Sequence, residues 1–221
     1  RGIYAVVAPE TFGSLVSGNS LVVVGDSAVL VVDAGHFPKL TRRVIAEIRS
    51  TTSKPVRYLV NTHWHPDHWL GNGEYRAAFP DVDIVATPFT RDAIRVQGPT
   101  YLKAYADSAS MTRQLNHALG RDGTVNAPTI DGGQRAYYEA TLADAGPAYA
   151  AWRSASLELP NVLVDKKLSV DLGNRTVDIM FFGRGNTSGD LVVYVPDERV
   201  LATGDLVVSP TPYAFGSYFG E

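Results

Sequence analysis

The 221-residue chain contains no cysteine, which excludes disulfide bonds, thiolate metal ligands and a cysteine nucleophile. It also lacks a basic run, because its 20 lysines and arginines are interspersed with 23 acidic residues, for a formal net charge of −3. This mixed distribution provides no cluster of positive charge that would bind the phosphates of a nucleic acid. No apolar stretch reaches the roughly eighteen residues of a membrane-spanning helix. We therefore expect neither nucleic-acid nor membrane partners.

The chain begins with Arg1 instead of methionine. An exported protein that has lost its leader and a shortened cytosolic chain both fit this start, and we favour a periplasmic or secreted protein. Hydrophobic residues make up 45% of the sequence, which is enough for one sizeable core. We expect a single domain over residues 1–221, of unknown oligomeric state.

Strand and helix patterns alternate in the first third of the chain. Two β-branched runs, residues 20–25 and 28–35, are joined by a Gly-Asp-Ser turn and predict an antiparallel hairpin. Apolar residues at helical spacing then predict a helix over 37–52. The run 56–63 predicts another strand. In α/β proteins ligands bind at the carboxyl ends of such strands, so the end of this run is a candidate site.

The middle of the chain, residues 88–160, is rich in alanine, tyrosine, arginine and glutamine. It contains several helix-like stretches, interrupted by glycine and proline, and we interpret it as a helical insertion. Strand patterns return after residue 160. They include an alternating run to Val170 and a hairpin predicted around Pro196, Asp197 and Glu198.

Three of the five histidines lie in one short segment, NTHWHPDHWLGN at 61–72. In extended backbone His63 and His65 point to the same side, so their ring nitrogens can converge on one metal ion. Asp67 and His68 can turn toward a second point just beyond it, which suits two metals sharing a water. The alternative is that the segment is a simple turn, in which the histidine rings are solvated or hydrogen-bonded. Three histidines and an aspartate in this order favour the metal site.

The segment THWHPDH resembles the metal-binding signature of the metallo-β-lactamase superfamily. Two more motifs match that family: DAG at 33–35, after a buried strand, and TGD at 203–205. The resemblance implies an α/β fold, an αββα sandwich of two mixed β-sheets flanked by helices, with a two-metal site between the sheets. The metal ligands it implies come from one loop and one later turn: His63, His65, Asp67, His68 and Asp205. Asp33 would lie behind one of the histidines and fix its tautomer.

The sequence departs from the family pattern in two places. In the stretch FFGRGNTSGD, Asn186 stands where the family has the third histidine of the first metal site. A neutral amide oxygen binds zinc poorly, so we expect a weak or substituted ligand, or else a turn residue bonded to its own loop. No P-G-H turn follows Asp205, and we expect the C-terminal part of the fold to be missing from this sequence.

The resemblance implies a hydrolase that cleaves a small ester, lactone, thioester or lactam with hydroxide bound to one or two zinc ions. Asp67 would orient the attacking water or carry its proton. Two alternatives stay open: an iron-dependent oxidoreductase on the same fold, and a metal-poor binding protein.

Aromatic side chains near the predicted site are candidates for the wall of a substrate pocket, although they fit a core role equally well: Trp64, Tyr213, Phe215 and Tyr218. His36 follows Asp33 at the end of a strand. It is a candidate to line the site, but we favour a surface position at the entry to the next helix.

Overall fold

The computed structural model describes residues 2–7, 18–123, 130–133, 135–136, 138–139, 142–143, 152 and 155–208. Its strands are β1 (Ile3–Val6), β2 (Ser20–Val24), β3 (Val29–Val32), β4 (Val56–Val60), β5 (Asp83–Ala86), β6 (Val162–Leu163), β7 (Lys167–Asp171), β8 (Thr176–Phe181), β9 (Leu191–Val195) and β10 (Val200–Ala202). Its helices are α1 (Pro38–Thr51), α2 (Pro66–Trp69), α3 (Asn72–Ala78), α4 (Pro88–Ala106) and α5 (Ser108–Ala118). No helix in these ranges is long and apolar enough to cross a bilayer.

The first sheet has six strands in the order β1-β2-β3-β4-β5-β6. The predicted hairpin is confirmed, because β2 and β3 pair antiparallel with Leu21 opposite Val32. Strands β3 to β6 are parallel. Helix α1 provides the crossover that the parallel pair β3 and β4 requires. The carboxyl ends of β3, β4 and β5 therefore lie along one edge of the sheet.

The second sheet has four antiparallel strands in the order β10-β9-β8-β7. The hairpin predicted around Pro196 is confirmed, with Val195 of β9 opposite Val200 of β10. The alternating run that ends at Val170 is two strands, not one. Its first part, β6, completes the first sheet, and its second part, β7, begins the second sheet.

The two sheets enclose a shared apolar core. Its buried members from the first sheet include Val23, Leu30, Val32, Val60 and Val85, and those from the second include Val170, Val177, Ile179, Leu191 and Val193. Each fully buried side chain of this kind stabilises the fold by about 1.5–3 kcal/mol. The predicted α/β sandwich of two sheets with flanking helices is confirmed; the first sheet is mixed and the second is antiparallel throughout.

Helix α1 covers the outer face of the first sheet. Its residues Thr41, Ile45 and Ile48 are buried and recur at helical spacing. The two isoleucines pack in one apolar cluster with Val29 and Val31 of β3. The helix begins with Pro38 at its first turn, a position that needs no backbone N–H. Its packing fixes the carboxyl end of β3, which carries Asp33.

Helix α4 runs through Gly98 and Pro99, where the sequence suggested two separate helical stretches. A side chain at position 98 would collide with Leu157 and come within 3.2 Å of Trp69, so glycine permits this helix to lie against α2. Helices α4 and α5 lie at the start of the predicted insertion over 88–160. That residues 88–160 form one helical insertion stays a prediction.

Candidate metal centre

The histidine loop lies at the carboxyl end of β4 and leads directly into α2. Helix α2 begins at Pro66, and the His68 N–H donates to the His65 carbonyl at 3.0 Å. The Trp69 indole N–H donates to the Trp64 carbonyl at 2.8 Å, which ties the helix back to the loop. This tight turn places the side chains of positions 63, 65, 67 and 68 at one edge of the sandwich.

The potential ligand atoms form two groups joined by Asp205. In the first group His63 Nε2 lies 2.9 Å from His65 Nδ1 and 3.6 Å from Asp205 Oδ2. In the second, His68 Nε2 lies 3.2 Å from Asp67 Oδ2 and 3.3 Å from Asp205 Oδ1. Each group therefore faces a different oxygen of the same carboxylate.

The separations within these groups suit a metal ion. Tetrahedral zinc with ligand bonds of about 2.0–2.1 Å holds neighbouring ligand atoms about 3.4 Å apart. The four distances given above span 2.9 to 3.6 Å. One ligand atom from each of His63, His68 and Asp205 lies within 4.8 Å of the other two. Imidazole nitrogens and carboxylate oxygens are also the ligands that zinc and iron accept.

Asp205 reaches the loop because of the glycine before it. Gly204 has φ +52, in the left-handed region that favours glycine. A Cβ at this position would lie 2.5 Å from the Thr62 hydroxyl oxygen. Glycine thus allows the turn after β10 to pack directly against the histidine loop.

Asp33 lies behind His68, at the end of β3. Its Oδ2 lies 2.8 Å from His68 Nδ1, while its Oδ1 accepts from the Thr62 N–H at 2.8 Å. The residue itself has φ +60, which is costly for a non-glycine residue and is held here by these buried contacts. Since Asp33 occupies Nδ1, His68 presents Nε2 to the group formed by Asp67 and Asp205.

Thr62 is a part of this centre that the sequence did not single out. Its hydroxyl donates to Asp33 Oδ2 at 2.9 Å and lies 3.1 Å from His63 Nδ1. With its hydroxyl hydrogen directed to Asp33, the oxygen can accept from His63 Nδ1–H and leave Nε2 for a metal. In the sequence, the only indication of this role is that Thr62 directly precedes His63, the first histidine of the segment 61–72.

We predict that Thr62→Val lowers the affinity for zinc by about 10- to 100-fold. The variant should also lose about 1–3 kcal/mol of unfolding free energy, because buried His63 Nδ1 loses its contact with the hydroxyl and Asp33 Oδ2 loses one of its two partners. Thr62→Ser keeps the hydroxyl and is the matched control, with affinity close to wild type. Zinc titration against a chelator and denaturant unfolding measure the two effects. Equal zinc affinity in the valine and serine variants would contradict this role for the hydroxyl.

Two of the three histidines of the centre have pKa values shifted in opposite directions. Burial, together with the neighbouring His68 and His65, holds the pKa of His63 well below its usual range. Burial also opposes a charge on His68, but the carboxylates of Asp67 and Asp33 outweigh it and raise that pKa well above the usual value. A metal ion that binds His68 therefore has to displace a proton.

Asp67 is a carboxylate at neutral pH. Burial acts against its ionisation, but the positive charge on His68 prevails and lowers the pKa of Asp67 to about 2. His36 adds a smaller contribution in the same direction. Asp67 is thus available as a metal ligand or a proton acceptor.

Asn186 lies in the loop between β8 and β9, beside the turn that carries Asp205. The neighbouring Gly185 packs so closely on Leu206 that a Cβ there would collide with it. The loop is held by Asp190 Oδ2, which accepts from the Thr187 N–H at 2.6 Å and from its hydroxyl at 3.0 Å. The Asn186 Nδ2 is buried and has no hydrogen-bond partner among the residues that the structure describes. The hydrogen bonds that hold this loop thus leave the amide nitrogen unused.

Of the four aromatic residues predicted to line a substrate pocket, the structure describes Trp64. The Trp64 ring lies 4.8 Å from that of His65 and 6.3 Å from that of Tyr101, between centroids. Tyr213, Phe215 and Tyr218 lie outside the described residues.

The interpretation of His36 as a surface residue is wrong. Its ring is 3% exposed and packs on Trp152, whose indole N–H donates to the His36 carbonyl at 2.8 Å.

Comparison with known proteins gives a family and several relatives. A family model described as the metallo-beta-lactamase superfamily matches residues 13–218. A linear primary-alkylsulfatase from Pseudomonas sp. (strain ATCC 19151) is 23% identical over 197 residues, which are 83% of this chain and 32% of that protein. The chain thus spans about a third of the length of this relative.

Two solved structures share the fold at low sequence identity. TMB-1 superposes with a TM-score of 0.53 at 15% identity, covering 94% of this chain and 68% of that one. The metallo-beta-lactamase IND-7 superposes with a TM-score of 0.52 at 19% identity, covering 94% of this chain and 67% of its own.

Proposed function

Because the chain belongs to the metallo-β-lactamase superfamily, we propose that it is a metal-dependent hydrolase of a small ester, lactone, thioester or lactam. The observation that carries this proposal is the convergence of His63, His68 and Asp205, whose ligand atoms lie within 4.8 Å of one another. The name of the alkylsulfatase relative adds sulfate esters to the candidate substrates.

The metal we propose is zinc, as one or two ions. His63 and His65 would hold the first and Asp67 and His68 the second, with Asp205 between them. Zinc at such a centre lowers the pKa of a bound water and polarises the bond that is cleaved. The two groups of ligand atoms on opposite oxygens of Asp205 support this division.

The side chains would act on a substrate in distinct ways. The Asp67 carboxylate, ionised at neutral pH, would orient the attacking water and accept its proton. His63 is held uncharged by its burial, so its Nε2 lone pair is free to bind a metal. Asp33 and Thr62 would keep both rings in the correct tautomer through the contacts at their Nδ1 atoms.

The proposal is tested by removing metal with a chelator and restoring zinc. The zinc-loaded protein should hydrolyse at least one of p-nitrophenyl acetate, a γ-lactone, a thioester, a chromogenic β-lactam or p-nitrophenyl sulfate, and the chelated protein none. The metal content of the purified protein should be measured in parallel. Iron with oxygen consumption would indicate an oxidoreductase, and the absence of turnover in excess zinc would indicate a binding protein. Either outcome overturns the proposal.

We propose that Asn186 faces the first metal position, and we predict that Asn186→His tightens zinc binding there. The buried amide nitrogen, which has no partner in the described part of the chain, supports this placement. An imidazole beside His63 and His65 would complete a three-nitrogen site. We predict no direction for turnover, because an imidazole would bind the metal more tightly but would also displace any substrate group that the amide contacts. Calorimetric zinc titration with a competing chelator checks this, and unchanged first-site affinity would show that position 186 points elsewhere.

A further inference from the structure

Two buried asparagine side chains lie beside the histidine loop and are paired with each other. Asn61 directly follows β4, Asn72 is the first residue of α3, and both are 0% exposed. Each side-chain NH2 group donates to the side-chain oxygen of the other residue, at 2.9 Å in both directions. We call these two residues the amide pair. Neither is among the metal ligands proposed above.

The remaining side-chain hydrogens of the amide pair are donated to main-chain carbonyl groups. Asn61 Nδ2 donates to the His68 carbonyl at 3.1 Å, and Asn72 Nδ2 donates to the Glu158 carbonyl at 3.1 Å. Because a carbonyl group only accepts hydrogen bonds, neither amide can turn over without placing two oxygens in contact. The two carbonyl groups therefore fix the orientation of both side chains.

The contact between Asn61 and His68 fixes a helix that has little stability of its own. Helix α2 is a single turn, Pro66–Trp69, and one turn of helix is unstable without tertiary contacts. The His68 carbonyl accepts from the Ala34 N–H at 2.9 Å as well as from Asn61. These two hydrogen bonds attach the turn that carries Asp67 and His68 to the chain just beyond β3 and β4.

The chain at His63 is held by different hydrogen bonds. The carbonyl of Thr62, directly before it, accepts from the Leu191 N–H at 2.8 Å, and the Thr62 N–H donates to a carboxylate oxygen at 2.8 Å. The side chain of Asn61 takes no part in these bonds. Loss of its amide should therefore displace His68 more than His63.

We propose that Asn61 is a positioning residue for the second metal position, the one assigned to Asp67 and His68. A metal ion accepts its ligand atoms only within about 0.2 Å of the usual bond length, so a small displacement of His68 weakens binding. This proposal rests on the metal-dependent function proposed above, since it concerns the same centre. It gives the buried amide of Asn61 a role in metal binding in addition to its role in the fold.

Zinc titration of leucine variants against a competing chelator separates positioning from stability. Leucine has the branched shape of asparagine but donates no hydrogen bond. Asn61→Leu should bind zinc about 10- to 100-fold more weakly at the second position, which is identified as the binding step that Asp67→Asn also weakens. Asn72→Leu is the matched control, because it removes a buried amide from the same pair but leaves the bond to His68. Its zinc affinity should be close to wild type.

The double variant Asn61→Leu/Asn72→Leu removes the contribution of stability. Replacing both partners of a buried hydrogen bond with apolar groups is less costly than removing one partner. The double variant should therefore melt closer to the wild-type temperature than Asn61→Leu does, while its zinc affinity at the second position stays low. A purely structural role of the amide pair predicts instead that zinc affinity recovers together with the melting temperature.

Wild-type zinc affinity in the double variant would overturn the proposal, and that result does not require Asn61→Leu to fold. Equal zinc affinities in Asn61→Leu and Asn72→Leu would overturn it as well. If the expected affinities are found but none of the substrates named above is hydrolysed, the proposed function fails and the role of Asn61 in metal binding stands. If substrate is hydrolysed but the affinities differ from those expected, only the role of Asn61 fails.

Discussion

Asp205→Ala is expected to lose metal from both positions and to hydrolyse its substrate at least about 1,000-fold more slowly than wild type. The reason is that its two oxygens face different groups, one at 3.6 Å from His63 Nε2 and the other at 3.3 Å from His68 Nε2. In the proposed centre, removing this carboxylate would take a ligand from each ion, and a metal contributes several kcal/mol to the stabilisation of such a transition state.

Metal analysis and steady-state turnover measure these effects. Asp205 is 28% exposed and outside the apolar core, so the variant should unfold at nearly the temperature of the metal-free wild-type protein. Asp197→Ala is the matched control, because Asp197 is an exposed aspartate in the turn between β9 and β10. Wild-type metal content in Asp205→Ala would show that this residue is not a ligand.

Asp67→Asn is expected to reduce turnover by about 100- to 10,000-fold while at least one metal ion remains bound. The substitution keeps the shape of the side chain but removes the charge that accepts a proton. Because Asp67 is ionised with a pKa of about 2, wild type already has the acceptor in its active form at neutral pH. The first position, with His63 and His65, does not depend on this carboxylate.

The measurement is turnover together with metal content on the same preparation. Asp92→Asn on α4 is the control, since that side chain is 48% exposed. Turnover within tenfold of wild type in a metal-loaded Asp67→Asn protein would exclude Asp67 as the group that accepts the proton.

The local part of the centre was predictable from spacing alone. Positions 63 and 65 of an extended segment share one side, and they lie 2.9 Å apart between ring nitrogens. Asp205 lies 137 positions after His68, and only the family resemblance indicated it. The role of Thr62 was not predicted because it depends on Asp33, which the parallel pairing of β3 and β4 brings alongside.

Other errors also arose from contacts between distant parts of the chain. The position of His36 between a strand end and a helix entry favours a surface residue. It is buried because Trp152 packs on it from 116 positions away. In the run to Val170, the alternation of side chains does not reveal that the chain changes sheets between β6 and β7.

The location of zinc in a crystal of the metal-loaded protein is the most direct test of the proposed centre. Diffraction data recorded on both sides of the zinc absorption edge show each ion as an anomalous difference peak. We expect one or two peaks about 2.0–2.2 Å from ligand atoms of His63, His65, His68 and Asp205. A zinc-loaded crystal with no peak among these side chains would contradict the metal centre and the hydrolytic function proposed from it.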